Sequence, residues 1–318
     1  MERPFLRRAF SLKTGLRLLV ALLVLIGALL GAKLLWDCQV FQGYDAELAL
    51  EPKVLARGEI GGFRTEKIEI TGWDGDRFPL RLILPNSPSL VPYRCVVFLY
   101  GIGQNMKFFD LVAPIFAAQG VAMAMPEQYN RGERRIRGIN PWGEALAFRE
   151  RASRLVPETR RVVDYLLQRG DMDPERLDFL GASYGGILGC AVLAHEPRLR
   201  CGVLAMVGGN FRKLLGSMAR KHRSESKILW PVAAELGAWF IRPFEPLTFV
   251  GKVAPRPLLF LNVEVDELIN RQCVAELYEA AGEPKEEIWY GGAHNDITEE
   301  TVRQMMADAL AWMARANP

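Results

Sequence analysis

Residues 177–188 read LDFLGASYGGIL and contain the most informative motif of the chain. The run 177–180 is short and mostly apolar, as in a buried strand, and residues 184–195 have the composition of an apolar helix. Between them, Gly181-Ala182-Ser183-Tyr184-Gly185 matches G-x-S-x-G, whose glycines leave room for a sharp strand-to-helix turn. Such a turn predicts a serine hydroxyl exposed at the carboxyl end of a parallel sheet. The alternative is an ordinary glycine-rich loop with an incidental serine.

Short apolar segments alternate with helical segments on both sides of this turn. We expect strands at residues 95–100, 121–125, 177–180, 201–207, 257–263 and 286–289, and helices at residues 107–118, 158–169, 184–195, 274–281 and 299–316. Upstream, two alternating runs at 65–71 and 78–84 flank Asp74-Gly75, which predicts a β-hairpin. The pattern indicates an α/β fold with a mainly parallel central sheet flanked by helices.

Residues 210–250 interrupt this alternation. They contain two helical patterns, around 214–218 and over 229–241, and they follow a predicted strand. We therefore expect one α/β domain over residues 63–318 with a small helical lid inserted at 210–250. Residues 37–62 carry little periodicity and are predicted to be a linker.

Two further side chains follow predicted strands of the sheet. A serine hydroxyl is a weak nucleophile that needs a base, and the base needs an orienting acid. Asp266 lies just past the strand at 257–263, and His294 lies just past the strand at 286–289. Both therefore occupy the sheet edge that carries Ser183, and their order along the chain is that of a G-x-S-x-G triad. We predict Ser183 as nucleophile, Asp266 as acid and His294 as base.

Each partner of the serine has an alternative. Asp266 alone is also compatible with a helix cap, and Glu264 competes for the role of the acid. Among the other histidines, His195 ends the helix that follows the serine, where a cation suits the helix dipole, and His222 lies among charges in the predicted lid.

Acyl transfer also needs hydrogen-bond donors for the developing oxyanion. One expected donor is the backbone N–H of Tyr184, the residue after the nucleophile. The other comes from the loop after Tyr100, where Ile102 is the first choice and Gly103 the second. Both donors act through the backbone.

A basic cluster follows the predicted strand at 121–125. Arg131, Arg134, Arg135 and Arg137 lie here with Glu133 among them. The segment leaves the sheet at its carboxyl edge, so these arginines, Arg131, Arg134 and Arg135 above all, are candidates for holding an anionic substrate group. Contacts with acidic lipid headgroups and a solvated loop with internal ion pairs are the alternatives.

Composition excludes several classes of function. The chain has 318 residues, of which 50% are hydrophobic and 24% charged, so intrinsic disorder is excluded. A net charge of +3 is too close to neutral to indicate a nucleic-acid partner. Five cysteines without C-x-x-C spacing and three dispersed histidines predict no zinc site, and nothing in the sequence calls for a metal or an organic cofactor.

The N-terminal segment predicts a membrane anchor. Residues 16–36 are almost entirely apolar and would form a helix of about 32 Å, enough to cross a bilayer. Basic residues dominate residues 1–15 and acidic residues follow the span, so the positive-inside rule puts the N-terminus in the cytoplasm and the α/β domain on the non-cytoplasmic side. A cleaved signal peptide is the alternative, although no small-x-small cleavage site follows the run.

Taken together, these motifs resemble the α/β-hydrolase superfamily, and within it the dienelactone-hydrolase and acetyl-esterase-like branch. The resemblance covers about residues 64–316 and rests on Tyr-Gly-Ile-Gly at 100–103, the Ser183 elbow, the strand that leads to Asp266, and Gly-Ala-His at 292–294. It implies the same nucleophile, acid and base. One departure is Tyr100, where many members have histidine, which leaves the hydrogen bonding of that loop open.

The expected activity is hydrolysis of a carboxylic ester, either a small molecule or a lipid, by a membrane-anchored serine hydrolase. A serine peptidase of the prolyl-oligopeptidase type is one alternative. A catalytically inactive fold that serves as a membrane-tethered binding module is another, although such a module has no need of a complete triad.

Overall fold

The structure, a computed structural model, describes residues 12–87, 92–102, 107–221 and 229–318. The chain divides into two compact units between Val40 and Phe41. The first unit contains helix α1 (Leu12–Asp37), which includes the predicted span at 16–36. Its stretch Thr14–Asp37 is long and apolar enough to cross a membrane, a property that signal sequences and the core helices of soluble proteins share.

The second unit is built on one sheet. Its strands are β1 (Lys53–Ile60), β2 (Phe63–Thr71), β3 (Arg77–Leu84), β4 (Tyr93–Leu99), β5 (Val121–Pro126), β6 (Met172–Ala182), β7 (Gly202–Ala205), β8 (Leu258–Val265) and β9 (Lys285–Ala293). Their order in the sheet is β1-β2-β3-β5-β4-β6-β7-β8-β9. Strands β1 to β3 are antiparallel to their neighbours, and the remaining strands are parallel. The predicted mainly parallel sheet and its N-terminal hairpin are thus confirmed.

Helices flank the sheet. They are α2 (Lys107–Ala118), α3 (Pro141–Gln168), α4 (Tyr184–His195), α5 (Phe211–Lys221), α6 (Leu229–Ile241), α7 (Arg271–Ala280) and α8 (Glu299–Ala316). A continuous apolar core includes Val96 of β4, Phe116 of α2 and Trp312 of α8. Helices α5 and α6 occupy the predicted lid between β7 and β8.

Helix α3 is longer than the sequence predicted. It begins at Pro141 rather than near residue 158, and Asn140 caps it by accepting the N–H of Gly143 at 2.8 Å. Its first half buries Arg149 and Arg151, whose charged side chains hide the apolar period that identifies an amphipathic helix. The helix therefore lacked its usual sequence signal.

The predicted linker at 37–62 is wrong from Phe41 onward. Tyr44 donates a hydrogen bond to Asp164 at 2.7 Å, Leu50 is buried, and residues 53–60 form the edge strand β1. Nearly every residue of β1 is exposed, so the strand has no alternation of apolar and polar side chains for the sequence to reveal.

Candidate active site

The turn between β6 and α4 holds Ser183 in an unusual conformation. Its φ of 50° lies in the left-handed region, which is costly for a residue with a side chain. The neighbouring glycines make the turn possible, because a Cβ at Gly181 would lie 2.6 Å from the Cα of Gly186, and a Cβ at Gly185 would overlap the carbonyl oxygen of Leu99. The backbone is therefore strained at Ser183, whose hydroxyl lies at the carboxyl end of β6.

The structure brings together Ser183, His294 and Asp266. The Oγ of Ser183 lies 2.9 Å from Nε2 of His294, and Nδ1 of His294 lies 2.7 Å from Oδ2 of Asp266. The side chains of the histidine and the aspartate are only 8% and 7% exposed, which shields both hydrogen bonds from water. This is the geometry in which an imidazole can accept a proton from a serine hydroxyl.

The carboxylate that contacts the imidazole is that of Asp266 rather than that of its competitor Glu264. The second carboxylate oxygen of Asp266 accepts the backbone N–H groups of Leu268 and Ile269 at 2.9 and 2.7 Å, which fixes the orientation of the carboxylate. Glu264 is an exposed residue of β8. Among the described residues, it makes no hydrogen bond to His294. The local turn after β8 thus selects one of the two acids.

Glu267 is a further member of the site that the sequence did not reveal. Its two carboxylate oxygens accept the backbone N–H groups of His294 at 2.9 Å and of Asn295 at 2.8 Å. Burial raises the pKa of Glu267. Hydrogen bonds from backbone amides, including those of Asn295 and His294, lower it by a larger amount in total, so the net change in pKa is downward. The loop after β8 is therefore bonded to the loop of His294 through the carboxylate of Glu267.

The two expected oxyanion donors flank the serine. Tyr184 begins α4 directly after Ser183, and Ile102 follows β4; both line the same cavity as the serine and His294. Gly103, the second choice for the donor loop, lies outside the described residues. The geometry leaves the first turn of α4 and the loop after β4 facing a common space.

Tyr100 fastens this donor loop to the next strand. Its hydroxyl donates to Oε1 of Glu127 at 3.1 Å and accepts the N–H of Gln128 at 3.2 Å, and the Gln128 side chain donates to the carbonyl oxygen of Tyr100 at 2.8 Å. All three residues are buried. Burial, chiefly, raises the pKa of Tyr100 and the pKa of Glu127. The tyrosine that departs from the usual histidine thus has a complete set of partners.

An apolar cavity of about 490 Å³ opens beside the serine. Tyr184 and Ile187 of α4 line it together with residues of the predicted lid. The lid residues that line it are Phe211, Leu214, Leu215, Met218, Ile241 and Phe244. A cavity of this lining suits an apolar substrate group.

The arginines of the basic loop differ in whether they pair with an acid of the protein. Arg134 is buried and forms a two-point ion pair with Glu158, with bonds of 2.8 and 2.7 Å. Arg135 pairs with Glu144 at the surface. Arg131 has no carboxylate partner among the described residues, and its Nε is buried without a hydrogen bond. Two of the three candidate anion-binding arginines are therefore engaged by the protein's own acids.

The other histidines lie apart from this arrangement. His195 ends α4, bonds the carbonyl oxygen of Ala191 through Nδ1 at 2.8 Å, and stacks against Phe41 and Phe249. His222 lies outside the described residues. Among the described histidines, His294 contacts the serine.

Comparisons with known proteins agree with this fold. Residues 108–216 match the prolyl oligopeptidase family. Esterase YjfP of Escherichia coli K12 is 22% identical over 248 residues, which are 74% of this chain and 95% of that protein. YfhR of Salmonella typhi is 28% identical over 166 residues, or 49% of this chain, and the chain spans about half, 53%, of its length. The acetyl xylan esterase from Paenibacillus sp. R4 superposes with a TM-score of 0.68 at 16% identity, covering 88% of this chain and 93% of that one.

Proposed function

We propose that this chain, which has the fold of the α/β-hydrolase superfamily, is a serine hydrolase that cleaves a carboxylic ester through an acyl-enzyme on Ser183. The observation that carries the proposal is the unbroken path of hydrogen bonds from Ser183 Oγ through the imidazole of His294 to Asp266, with distances of 2.9 and 2.7 Å. The names of the esterase relatives support an ester as the substrate.

In the acylation step, Ser183 Oγ attacks the ester carbonyl carbon while its proton moves to Nε2 of His294. Asp266 holds the other ring nitrogen and stabilises the imidazolium that forms. The backbone N–H groups of Tyr184 and Ile102 donate to the oxygen that becomes negative. The tetrahedral intermediate then expels the alcohol, which takes the proton from His294, and leaves the acyl group on the serine.

Water completes the cycle by the same route in reverse. His294 takes a proton from a water molecule, whose oxygen attacks the acyl carbon. When the second tetrahedral intermediate collapses, the carboxylic acid leaves and the proton returns to Ser183 Oγ. Every charge that develops is thus met by a group already in place, which is what lowers the barrier in enzymes of this kind.

Arg131 is the arginine that we propose for contact with an anionic substrate group. Burial, and next the positive charge of Arg151, lower the pKa of its guanidinium, and no carboxylate offsets these effects among the described residues. Arg131→Ala is expected to reduce kcat/KM for a succinyl ester more than for a neutral ester of equal length, whereas Arg137→Ala, a change at an exposed arginine of the same loop, leaves the ratio unchanged. An unaltered ratio in both variants argues for a purely structural loop.

A series of p-nitrophenyl esters of increasing chain length tests the proposed reaction. Wild type should turn over members of the series, and Ser183→Ala should lose at least about 10⁴-fold in kcat while its melting temperature is retained. Ser153→Ala, at a serine of α3, is the matched control. Equal turnover by wild type and Ser183→Ala would refute the mechanism.

Peptide hydrolysis is the second candidate, favoured by the match to the prolyl oligopeptidase family. A peptide p-nitroanilide and an ester with the same acyl group compare the two reactions directly. Ester cleavage with negligible amidase activity supports the first candidate. A fluorophosphonate probe addresses the third possibility, a binding module, because such a module lacks an activated serine and stays unlabelled.

We further propose that α1 anchors the chain in a membrane with the α/β domain on the non-cytoplasmic side. The basic residues before the span and the acidic residues after it support this orientation. Cys38 is exposed while Cys95, Cys190, Cys201 and Cys273 are buried, so a membrane-impermeant maleimide reports on one site. Labelling in intact cells is expected. Labelling only after lysis contradicts the orientation, and a shortened mature chain indicates a cleaved signal peptide instead.

A further inference from the structure

The lid helix α6 is apolar around its whole circumference. Its sequence is LWPVAAELGAWFI, with Glu235 as the one charged residue. Leu229, Val232, Leu236 and Trp239 are 66%, 51%, 61% and 44% exposed and recur at helical spacing on one side. In a soluble domain a helix of this composition is normally buried, and an exposed apolar patch of this kind marks an interaction surface.

The opposite side of α6 is already occupied by the lid and the cavity. Ala238 is buried, a Cβ at Gly237 would lie 3.2 Å from the side chain of Leu215 on α5, and Ile241 lines the cavity beside Ser183. The exposed side of α6 is therefore different from the side with which the helix packs against the protein. It is a second apolar side in addition to the one that packs.

Helix α3 continues the apolar patch. Trp142 and Leu146, one turn apart at its start, are 66% and 38% exposed. The ring of Trp142 lies 6.5 Å from that of Phe240, the residue after Trp239. We call the exposed side of α6 together with these two residues the lid face.

The first residues of the α/β unit pack beside the lid. The ring of Phe41 lies 5.6 Å from that of Phe244, which lines the cavity. Arg149 joins the two regions, since its guanidinium lies over the rings of both Phe244 and Phe240. The chain therefore enters the α/β unit next to the lid face.

Three residues, 38–40, connect the end of α1 to Phe41, and such a segment extends at most about 10 Å. If α1 crosses a membrane, a domain on so short a tether stays at the surface of that membrane. The short connection therefore favours a lipid bilayer, rather than a dissolved partner, as the neighbour of the lid face.

We infer that the lid face rests in the lipid–water interface of the membrane that α1 enters, so that the cavity receives ester substrates whose acyl chains are dissolved in the bilayer. The inference rests on the proposed ester hydrolysis and names its substrate class, a membrane-partitioned ester. Tryptophan and leucine side chains are suited to this interface, where an apolar face inserts about 5–10 Å below the headgroups.

Fluorescence quenching tests the docking without reference to activity. The full chain with Cys38→Ser and Leu236→Cys is labelled with an environment-sensitive nitrobenzoxadiazole dye and placed in phosphatidylcholine nanodiscs. We expect a blue-shifted emission and quenching by lipids that carry a doxyl group near the carbonyl. The matched control, Glu300→Cys at the exposed start of α8, should show neither effect. Unquenched emission at both positions overturns the inference, and a blue shift without lipid quenching overturns it in favour of a protein partner or a second copy.

Activity measurements separate this inference from the proposed function. Val232→Ser combined with Leu236→Ser should lower turnover of a long-chain ester embedded in the nanodisc by about tenfold, and leave turnover of a water-soluble acetyl ester unchanged. Equal turnover of the embedded ester by wild type and the double variant contradicts the docking. The hydrolase assignment is tested separately: Ser183→Ala should lose turnover of the soluble ester, whatever the double variant shows.

Discussion

The carboxylate of Glu267 accepts the backbone N–H of His294 at 2.9 Å. Its other oxygen accepts the N–H of Asn295 at 2.8 Å. Asp266, the preceding residue, bonds the imidazole of the same histidine at 2.7 Å. Two adjacent acids after β8 thus hold the two halves of His294, one its ring and the other its backbone. The position of Nε2 relative to Ser183 depends on both.

Glu267→Ala should therefore reduce kcat/KM without unfolding the domain. A displacement of the imidazole by about 1 Å is enough for a loss on the order of 100-fold, because proton transfer depends on the alignment of the reacting atoms. Steady-state kinetics on a soluble ester measure the loss. Glu267→Gln retains two polar atoms, one of which can accept a hydrogen bond, and should recover part of the activity.

Glu264→Ala is the matched control for this variant. The side chain is exposed on β8 only three residues away, and it is the acid that the sequence left as an alternative to Asp266. Its removal should change kcat/KM less than twofold. A large loss here with a small loss at Glu267 would reverse the assignment of the two acids.

The parts of the site that follow from local sequence are those at strand ends. Ser183, Asp266 and His294 each come directly after a strand, and parallel strands bring their carboxyl ends to one edge. Their common location was therefore predictable from order and spacing. The sequence favours Asp266 but leaves Glu264 as a competitor, because the choice between them depends on where β8 ends and on the turn that follows.

Contacts between segments distant in sequence escaped prediction. The bonds from Tyr100 to Glu127, from Arg134 to Glu158 and from Glu267 to the histidine loop join residues that carry no pattern pointing to one another. Helix α3 was recognised only in its second half because buried arginines replace apolar residues in the first. In both cases the decisive interaction is tertiary, and a charged residue that is buried by its partner looks like a solvated one in the sequence.

Arg134→Ala tests whether the basic loop is structural at this position. The side chain of Arg134 is 8% exposed and that of its partner Glu158 is 2% exposed, so removal of the arginine leaves a buried carboxyl with only the longer contact to Arg154 at 4.0 Å. A buried pair that loses one member typically costs about 3–5 kcal/mol of stability. Denaturant unfolding should show a loss in this range for Arg134→Ala.

Arg137→Ala, at an exposed position of the same loop, should change the free energy of unfolding by less than about 0.5 kcal/mol. If Arg134→Ala is as stable as wild type and instead loses selectivity for anionic esters, the side chain serves the substrate rather than the fold.

The buried Glu127 predicts a pH-dependent stability. Burial is the largest influence on its carboxyl and raises its folded-state pKa above the unfolded value of about 4.3. The contribution of such a group is fully present below the unfolded pKa and is lost as the pH rises through the folded pKa. Glu127→Gln cannot ionise and still offers an acceptor to Tyr100, so it should gain stability relative to wild type as the pH rises from about 4 to 7.

Thermal unfolding of wild type and Glu127→Gln across this pH range measures the effect. Glu299→Gln, which removes one negative charge from a side chain that is 74% exposed at the start of α8, controls for the change in net charge. A difference between wild type and Glu127→Gln that stays constant with pH would show that the carboxyl does not titrate differently in the folded state.

Gly185→Ala addresses the turn on which the whole site depends. A Cβ at this position would overlap the carbonyl oxygen of Leu99 and lie 2.8 Å from that of Tyr100, and both are backbone atoms of the central strand β4 and its end. Neither can move without disturbing the sheet, so the variant should yield little soluble protein, and what folds should react slowly with a fluorophosphonate probe. Gly170→Ala is the matched control, since a Cβ there meets nothing within 4 Å and should leave stability within about 1 kcal/mol of wild type. A Gly185→Ala protein with wild-type melting temperature and labelling rate would mean that the close approach of α4 to β4 is not required for the reactive serine.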